Sequence, residues 1–249
     1  MSQNSSTVNS NRTVAPLANV GLATRAMELA MNRPLHLPGL VVFSGPSGYG
    51  KSMSAAFVAN KFKAVYIECK STWNRRAVLE EIAKRMRLPL DGTLYQLADA
   101  ITGELALSGR PLIVDEMDYL VDKSAVEIIR DLYEESKAAI LLIGEEKMPG
   151  KLMKWERFHG RVLEWVQAKP SDIADTGHLA RLYCPGLVVE PDLVGKVHTL
   201  SAGSARRICV MLEKIRQEAL GQGLKSIGLK NLPSGFFGSF SGDGLGRSK

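Results

Sequence analysis

The sequence contains no apolar run near the roughly 20 residues that a membrane-spanning helix needs, which excludes a helical membrane protein. Met1 to Asn11 is polar and rich in Ser and Asn, without the apolar centre of a secretory leader, so a cytoplasmic location is expected. Cysteine is scarce. The three present, Cys69, Cys184 and Cys209, lie far apart and never in CxxC spacing, which argues against a zinc site or a disulfide framework. Buried reduced thiols are expected instead. No segment repeats, so solenoids and propellers are excluded. The excess of positive charge is modest: 32 Lys and Arg against 26 Asp and Glu, a net +6. That balance permits nucleic-acid binding without requiring it.

The 249 residues leave room for one α/β domain and a small appendage. Residues 1–16 read as a disordered leader. From Leu17 to Asn32 the apolar positions have helical spacing, ended by Pro34 and Pro38. Short apolar runs then alternate with helical stretches. The runs are Leu40–Phe43, Val65–Ile67, Leu112–Val114 and Ile140–Ile143, with Val162–Val166 as a candidate fifth strand. Uninterrupted apolar strands separated by helices predict a five-stranded parallel sheet covered on both faces. The pattern assigns 17–168 to this α/β domain, 169–222 to a small helical lid, and 223–249 to a flexible Gly/Ser-rich tail.

Two motifs carry chemistry. Gly45-Pro46-Ser47-Gly48-Tyr49-Gly50-Lys51-Ser52 satisfies GxxxxGK[ST] between a strand and a helix. Its glycines let backbone N–H groups turn toward phosphate oxygens, and the following helix points its positive end at the same place. Lys51 is expected to reach the β- and γ-phosphates of ATP, and the Ser52 hydroxyl to bind Mg²⁺. The second motif is Leu112-Ile113-Val114-Asp115-Glu116. Acids at the C-terminal end of a buried parallel strand sit where open α/β sheets bind ligands. Asp115 is expected to hold Mg²⁺ through water, and Glu116 to act as general base toward the attacking water. Asp118 reads as a surface acid on the following helix.

With both motifs in place the chain resembles the AAA+ ATPases over about residues 17–220. The resemblance implies an arginine finger before the fifth strand, which reaches a neighbouring subunit's γ-phosphate. The segment Phe158-His159-Gly160-Arg161-Val162 is similar to that region, with Arg161 as first choice and Arg157 in reserve. Gly203-Ser204-Ala205-Arg206-Arg207 resembles the second sensor of the lid, which implies that Arg206 contacts the γ-phosphate of its own subunit. Glu145 stands where the family places a neutral polar first sensor. That departure implies slow hydrolysis, stimulated by a partner.

Within AAA+ the compact size, Lys70-Ser71-Thr72-Trp73-Asn74, and the stretch from Ile143-Gly144-Glu145 to Arg161 are similar to the Mu B-like regulators of DNA transposition and the target-selection ATPases of transposons. This implies ATP-dependent homo-oligomers, as rings or helical filaments, on double-stranded DNA without sequence preference, and recruitment or stimulation of a transposase. Lys70, Thr72, Arg75 and Arg76 after the second strand, and Lys151 after the fourth, are the candidate DNA contacts. Trp73 either stacks on a partner or anchors its loop in the core. Phe236, Phe237, Phe240, Arg247 and Lys249 are either a docking motif or a tail packed on the lid. The alternative function is a helicase-loader or initiator-like ATPase of DNA replication.

Overall fold

The computed structural model describes residues 17–238. Helix α1 (Ala18–Met31) leads into β1 (Leu40–Ser44), the phosphate loop and α2 (Lys51–Phe62). Then follow β2 (Val65–Glu68), α3 (Arg75–Met86), α4 (Leu94–Ser108), β3 (Leu112–Asp115), α5 (Asp118–Asp122) and α6 (Glu127–Ser136). Strand β4 (Ile140–Gly144), short helices α7 (Met148–Leu152) and α8 (Glu156–His159), and β5 (Val162–Gln167) complete the sheet domain. All pairings in the sheet are parallel, in the order β2-β3-β4-β1-β5.

Alternation along the strands makes two cores. Leu40, Val42, Leu112, Val114, Ile140 and Leu142 face α3, α4 and α6. Val41, Phe43, Ile113, Leu141 and Ile143 face α1 and α2. Strands β1, β3 and β4 are therefore buried on both sides, which is why they read as continuous apolar runs. Each fully buried aliphatic side chain stabilises the fold by about 1.5–3 kcal/mol, whereas an exposed ion pair such as Lys61–Glu28 adds about 0–1 kcal/mol.

The lid comprises α9 (Ile173–Tyr183), α10 (Pro191–Ser201) and α11 (Ala205–Gly221), with their own core of Leu179, Leu193, Val197, Ile208, Leu212 and Ile215. Helix α1 spans both units. Leu17 and Val20 pack into the lid core, while Ala23, Ala26, Met27 and Ala30 pack on the sheet.

One expectation needs correction. The tail from 223 is not uniformly loose. Strand β7 (Ser226–Ile227) pairs in parallel with β6 (Val188–Val189), and Phe236 and Phe237 pack against the lid core, ring to ring at 5.1 Å. The apolar gain from Ile227, Phe236 and Phe237 outweighs the glycine entropy there. Phe240, Arg247 and Lys249, like residues 1–16, lie outside the described residues.

Candidate functional site

The phosphate loop leaves β1 at its C-terminal end and becomes α2 without a side-chain cap. Gly50, at φ 81°, turns the loop into the helix, and Gly48 has φ 84°. A Cβ on Gly48 would lie 2.7 Å from Ser204 Oγ, so only glycine lets the lid approach this closely. The backbone N–H of Arg206 donates to the Gly48 carbonyl at 3.0 Å. Loop and lid thus meet around a cleft of about 330 Å³.

Ser47, Gly48, Gly50, Lys51 and Ser52 line this cleft from the loop, Asp115 and Glu116 from the end of β3, Glu145 from the end of β4, and Arg206 from α11. Gly45, Pro46 and Tyr49 do not line it. The Gly45 and Pro46 carbonyls accept hydrogen bonds from Lys51 Nζ at 2.7 and 3.0 Å. The Tyr49 carbonyl accepts from Asn19 Nδ2 at 2.8 Å. An apolar wall of Leu17, Met53, Leu179, Tyr183, Cys209 and Val210 completes the cleft.

Electrostatics inside are lopsided toward acid. Burial pushes the Lys51 ammonium below its ordinary value, while Glu116, Asp115, Glu145 and Asp118 pull it back up. Burial, then Asp115 and Asp118, push the Glu116 carboxyl up. Four carboxylates around one lysine fit a site that takes a divalent cation along with its anion. Ser52 and Asp115 offer hard oxygen donors of the kind Mg²⁺ prefers. Glu116 is held at φ 52°, in the left-handed region that non-glycine residues avoid. This backbone turn separates β3 from α5 directly at the proposed base.

Asp118 is not a surface acid. It is 9% exposed, and its Oδ2 accepts the backbone N–H of Glu145 at 2.6 Å. It therefore ties the loop after β3 to the loop after β4. Sequence reasoning also missed Asn19, 4% exposed, whose side chain bonds the Tyr49 carbonyl and both backbone groups of Lys169. It missed Tyr66, whose hydroxyl donates to Asp115 Oδ2 at 3.0 Å. No motif links these positions, so nothing in a single sequence singles them out.

The remaining candidates lie elsewhere. Arg161 precedes β5, and its carbonyl accepts from Leu40 N at 3.1 Å. This is the N-terminal end of the strands, opposite the cleft. Its guanidinium is ion-paired with Glu134, a carboxyl that Lys137 and Arg161 hold below its usual value. Arg157 is exposed on α8. Lys70 and Thr72 are exposed in the loop after β2. Arg75 donates to the Ser124 carbonyl at 3.2 Å, Arg76 pairs with Glu80 at 2.7 Å, and Lys151 pairs with Asp122 at 2.5 Å. Trp73 packs against the sheet core, and Lys123 Nζ holds its loop through the carbonyls of Ser71 and Trp73. Cys69 and Cys184 are buried free thiols, pushed by burial to about 12 and about 11 respectively. Cys209 is half-buried and borders the cleft. Among the described residues no helix is long and apolar enough to cross a membrane.

Residues 35–152 match the AAA domain family. No curated protein matches the sequence. Among solved structures the chain is similar to the Aeropyrum pernix Orc1 protein in complex with DNA, at 15% identity and a TM-score of 0.65, covering 90% of this chain and 66% of that one. Cdc6p from Pyrobaculum aerophilum gives 16% identity and a TM-score of 0.61 over the same shares. A point mutant of Thermotoga maritima RuvB gives 14% and 0.59 over 86% of this chain and 68% of that one. The chain thus spans about two thirds of the length of these three proteins. The five-stranded parallel sheet flanked by helices, with its phosphate loop and the match over residues 35–152, is an α/β fold that matches a P-loop AAA+ domain.

Proposed function

We propose that the chain is an ATPase whose nucleotide state controls its assembly on double-stranded DNA. The observation that carries the ATPase reading is the convergence of Lys51, Ser52, Asp115, Glu116 and Arg206 on one cleft between phosphate loop and lid. In this reading Lys51 leaves the Gly45 and Pro46 carbonyls to engage the β- and γ-phosphates. Ser52 and Asp115 hold Mg²⁺, which when bound neutralises charge on the phosphate oxygens. Glu116 takes the proton of the attacking water, and its raised pKa suits a base that must accept one. Arg206 senses the γ-phosphate from the lid. Glu145 adds negative charge beside that phosphate, which favours slow hydrolysis awaiting a partner.

Arg161 is proposed as the finger for a second copy of the chain, since it lies at the far end of the strands from its own cleft. Its exposed pair with Glu134 is worth about 0–1 kcal/mol, too little to hold it back. Arg161→Ala should bind ATP but lose ATP-dependent oligomers and hydrolysis. Mixing it with Lys51→Ala should restore part of the activity, because one mixed interface keeps both partners. Normal oligomers from the variant, without rescue on mixing, would point to Arg157 or to no finger.

The DNA reading rests on the exposed basic residues after β2 and β4, at the same end of the sheet as the cleft. Lys70, Thr72 and Arg75 are the main proposed phosphate contacts, because Arg76 and Lys151 are already paired with acids. The finer proposal is a transposition regulator that marks target DNA and recruits or stimulates a transposase, supported by the resemblance to that group. A replication initiator or loader is the second reading, favoured by the fold shared with the Orc1 protein solved in complex with DNA.

Anisotropy titrations of labelled duplex DNA test the common element. Affinity should be high with an ATP analogue, low with ADP, insensitive to sequence and reduced by salt. The double substitution Lys70→Ala and Arg75→Ala should lower the slope of log affinity against log salt by about one unit per lost contact, equally for all duplexes. Equal affinity with ATP analogue and ADP, or an unchanged slope, would contradict it.

A further inference from the structure

Asp115 is 2% exposed, and a carboxylate that deep needs donors on its oxygens. Two are present, one on each oxygen. The N–H of Glu116 donates to Oδ1 at 2.8 Å, and the Tyr66 hydroxyl donates to Oδ2 at 3.0 Å. The first donor is the backbone of the next residue in the chain. The second crosses from the edge strand. Strand β2 pairs Glu68 with Asp115, and Tyr66 lies two residues earlier on the same face. Its ring is half-buried against the α1–α2 side of the sheet.

We infer that Tyr66 is a positioning residue for the divalent cation, its hydroxyl fixing the Asp115 carboxylate so that the free lone pairs face the cleft. The inference rests on the reading of Asp115 as the acid that holds Mg²⁺. An ionised carboxylate offers about four lone-pair sites. Two fixed donors occupy one on each oxygen and lock the plane of the group. The others are left for the water shell of the cation. Outer partners of this kind orient the group that meets a metal and reduce what must reorganise on binding. Neither the phosphate loop nor the acidic strand end includes Tyr66.

The test uses the full chain and Tyr66→Phe, which keeps the ring and removes the hydroxyl. A fluorescent ATP analogue is titrated at a series of Mg²⁺ concentrations and in excess EDTA. The Mg²⁺ concentration for half-maximal tightening should rise about tenfold, while affinity in EDTA stays at the parent value. In an Asp115→Asn background the same substitution should produce no further shift, since the two side chains act as one unit. An unchanged Mg²⁺ half-point would overturn the inference. So would an equal loss in EDTA and in Mg²⁺, which would mark Tyr66 as structural only. Absence of Mg²⁺-dependent nucleotide binding by the unaltered chain would overturn the ATP-site reading itself, and this inference with it.

Discussion

Lys51→Ala should weaken ATP binding by about 100-fold or more while leaving the fold intact. Among the described residues Lys51 is the only lysine lining the cleft. Hydrogen bonds between charged partners are worth about 1.5–3 kcal/mol each, and Lys51 is proposed to make two, to the β- and γ-phosphates. Two such losses correspond to at least about two powers of ten in affinity. The fold loses the donor to the Gly45 and Pro46 carbonyls, a cost of about 1–3 kcal/mol, and in return no longer buries the ammonium. Lys51→Arg is a useful contrast: it keeps the charge but not the shape. A titration that finds parental affinity in Lys51→Ala would remove the basis for a nucleotide site here.

Glu116→Gln should separate binding from turnover. The amide keeps the size of the side chain and its place beside Asp115 but cannot accept the proton of water. General bases contribute about 10²–10⁴-fold to rate, so hydrolysis should fall by at least about two powers of ten with nucleotide affinity near parental. On DNA the variant should stay assembled after ATP is added, because the step that releases it is blocked. Parental turnover would show that another group activates the water, and Glu145, which lines the same cleft, would be the next to substitute.

The site was legible where its chemistry is local. The phosphate loop is a backbone device, so its spacing alone predicts the turn at Gly50 and the helix that starts at Lys51. Asp115 and Glu116 were readable because an apolar run ends at them, and the lid arginine because Gly-x-x-Arg precedes an apolar helix. Strands β1, β3 and β4 were readable because burial on two faces leaves no polar residue to interrupt them. Edge strand β5 carried the weakest signal, since its residues are half-exposed or exposed. What stayed hidden depends on partners distant in sequence. Asp118 is an interior acid only because the loop after β4 offers it the Glu145 N–H, 27 positions away. Tyr66 reaches Asp115 across 49 positions, and Asn19 reaches Lys169 across 150. Helical periodicity could not place α5 either, because a helix this short has too few turns to establish a period. Burial of Phe236 and Phe237 depends on the lid surface that receives them, which a Gly-rich segment does not announce.

One Mg²⁺–nucleotide is proposed to bridge the phosphate loop and the helical lid. Amide hydrogen exchange of the full chain, with and without a non-hydrolysable ATP analogue and Mg²⁺, tests it most directly. Exchange should slow in three separate segments at once: residues 47–54 of the loop and early α2, residues 115–118 after β3, and residues 204–210 at the start of α11. Removing Mg²⁺ should lessen the effect at 115–118 most. Protection confined to the loop, or no change at 204–210 on nucleotide addition, would contradict it.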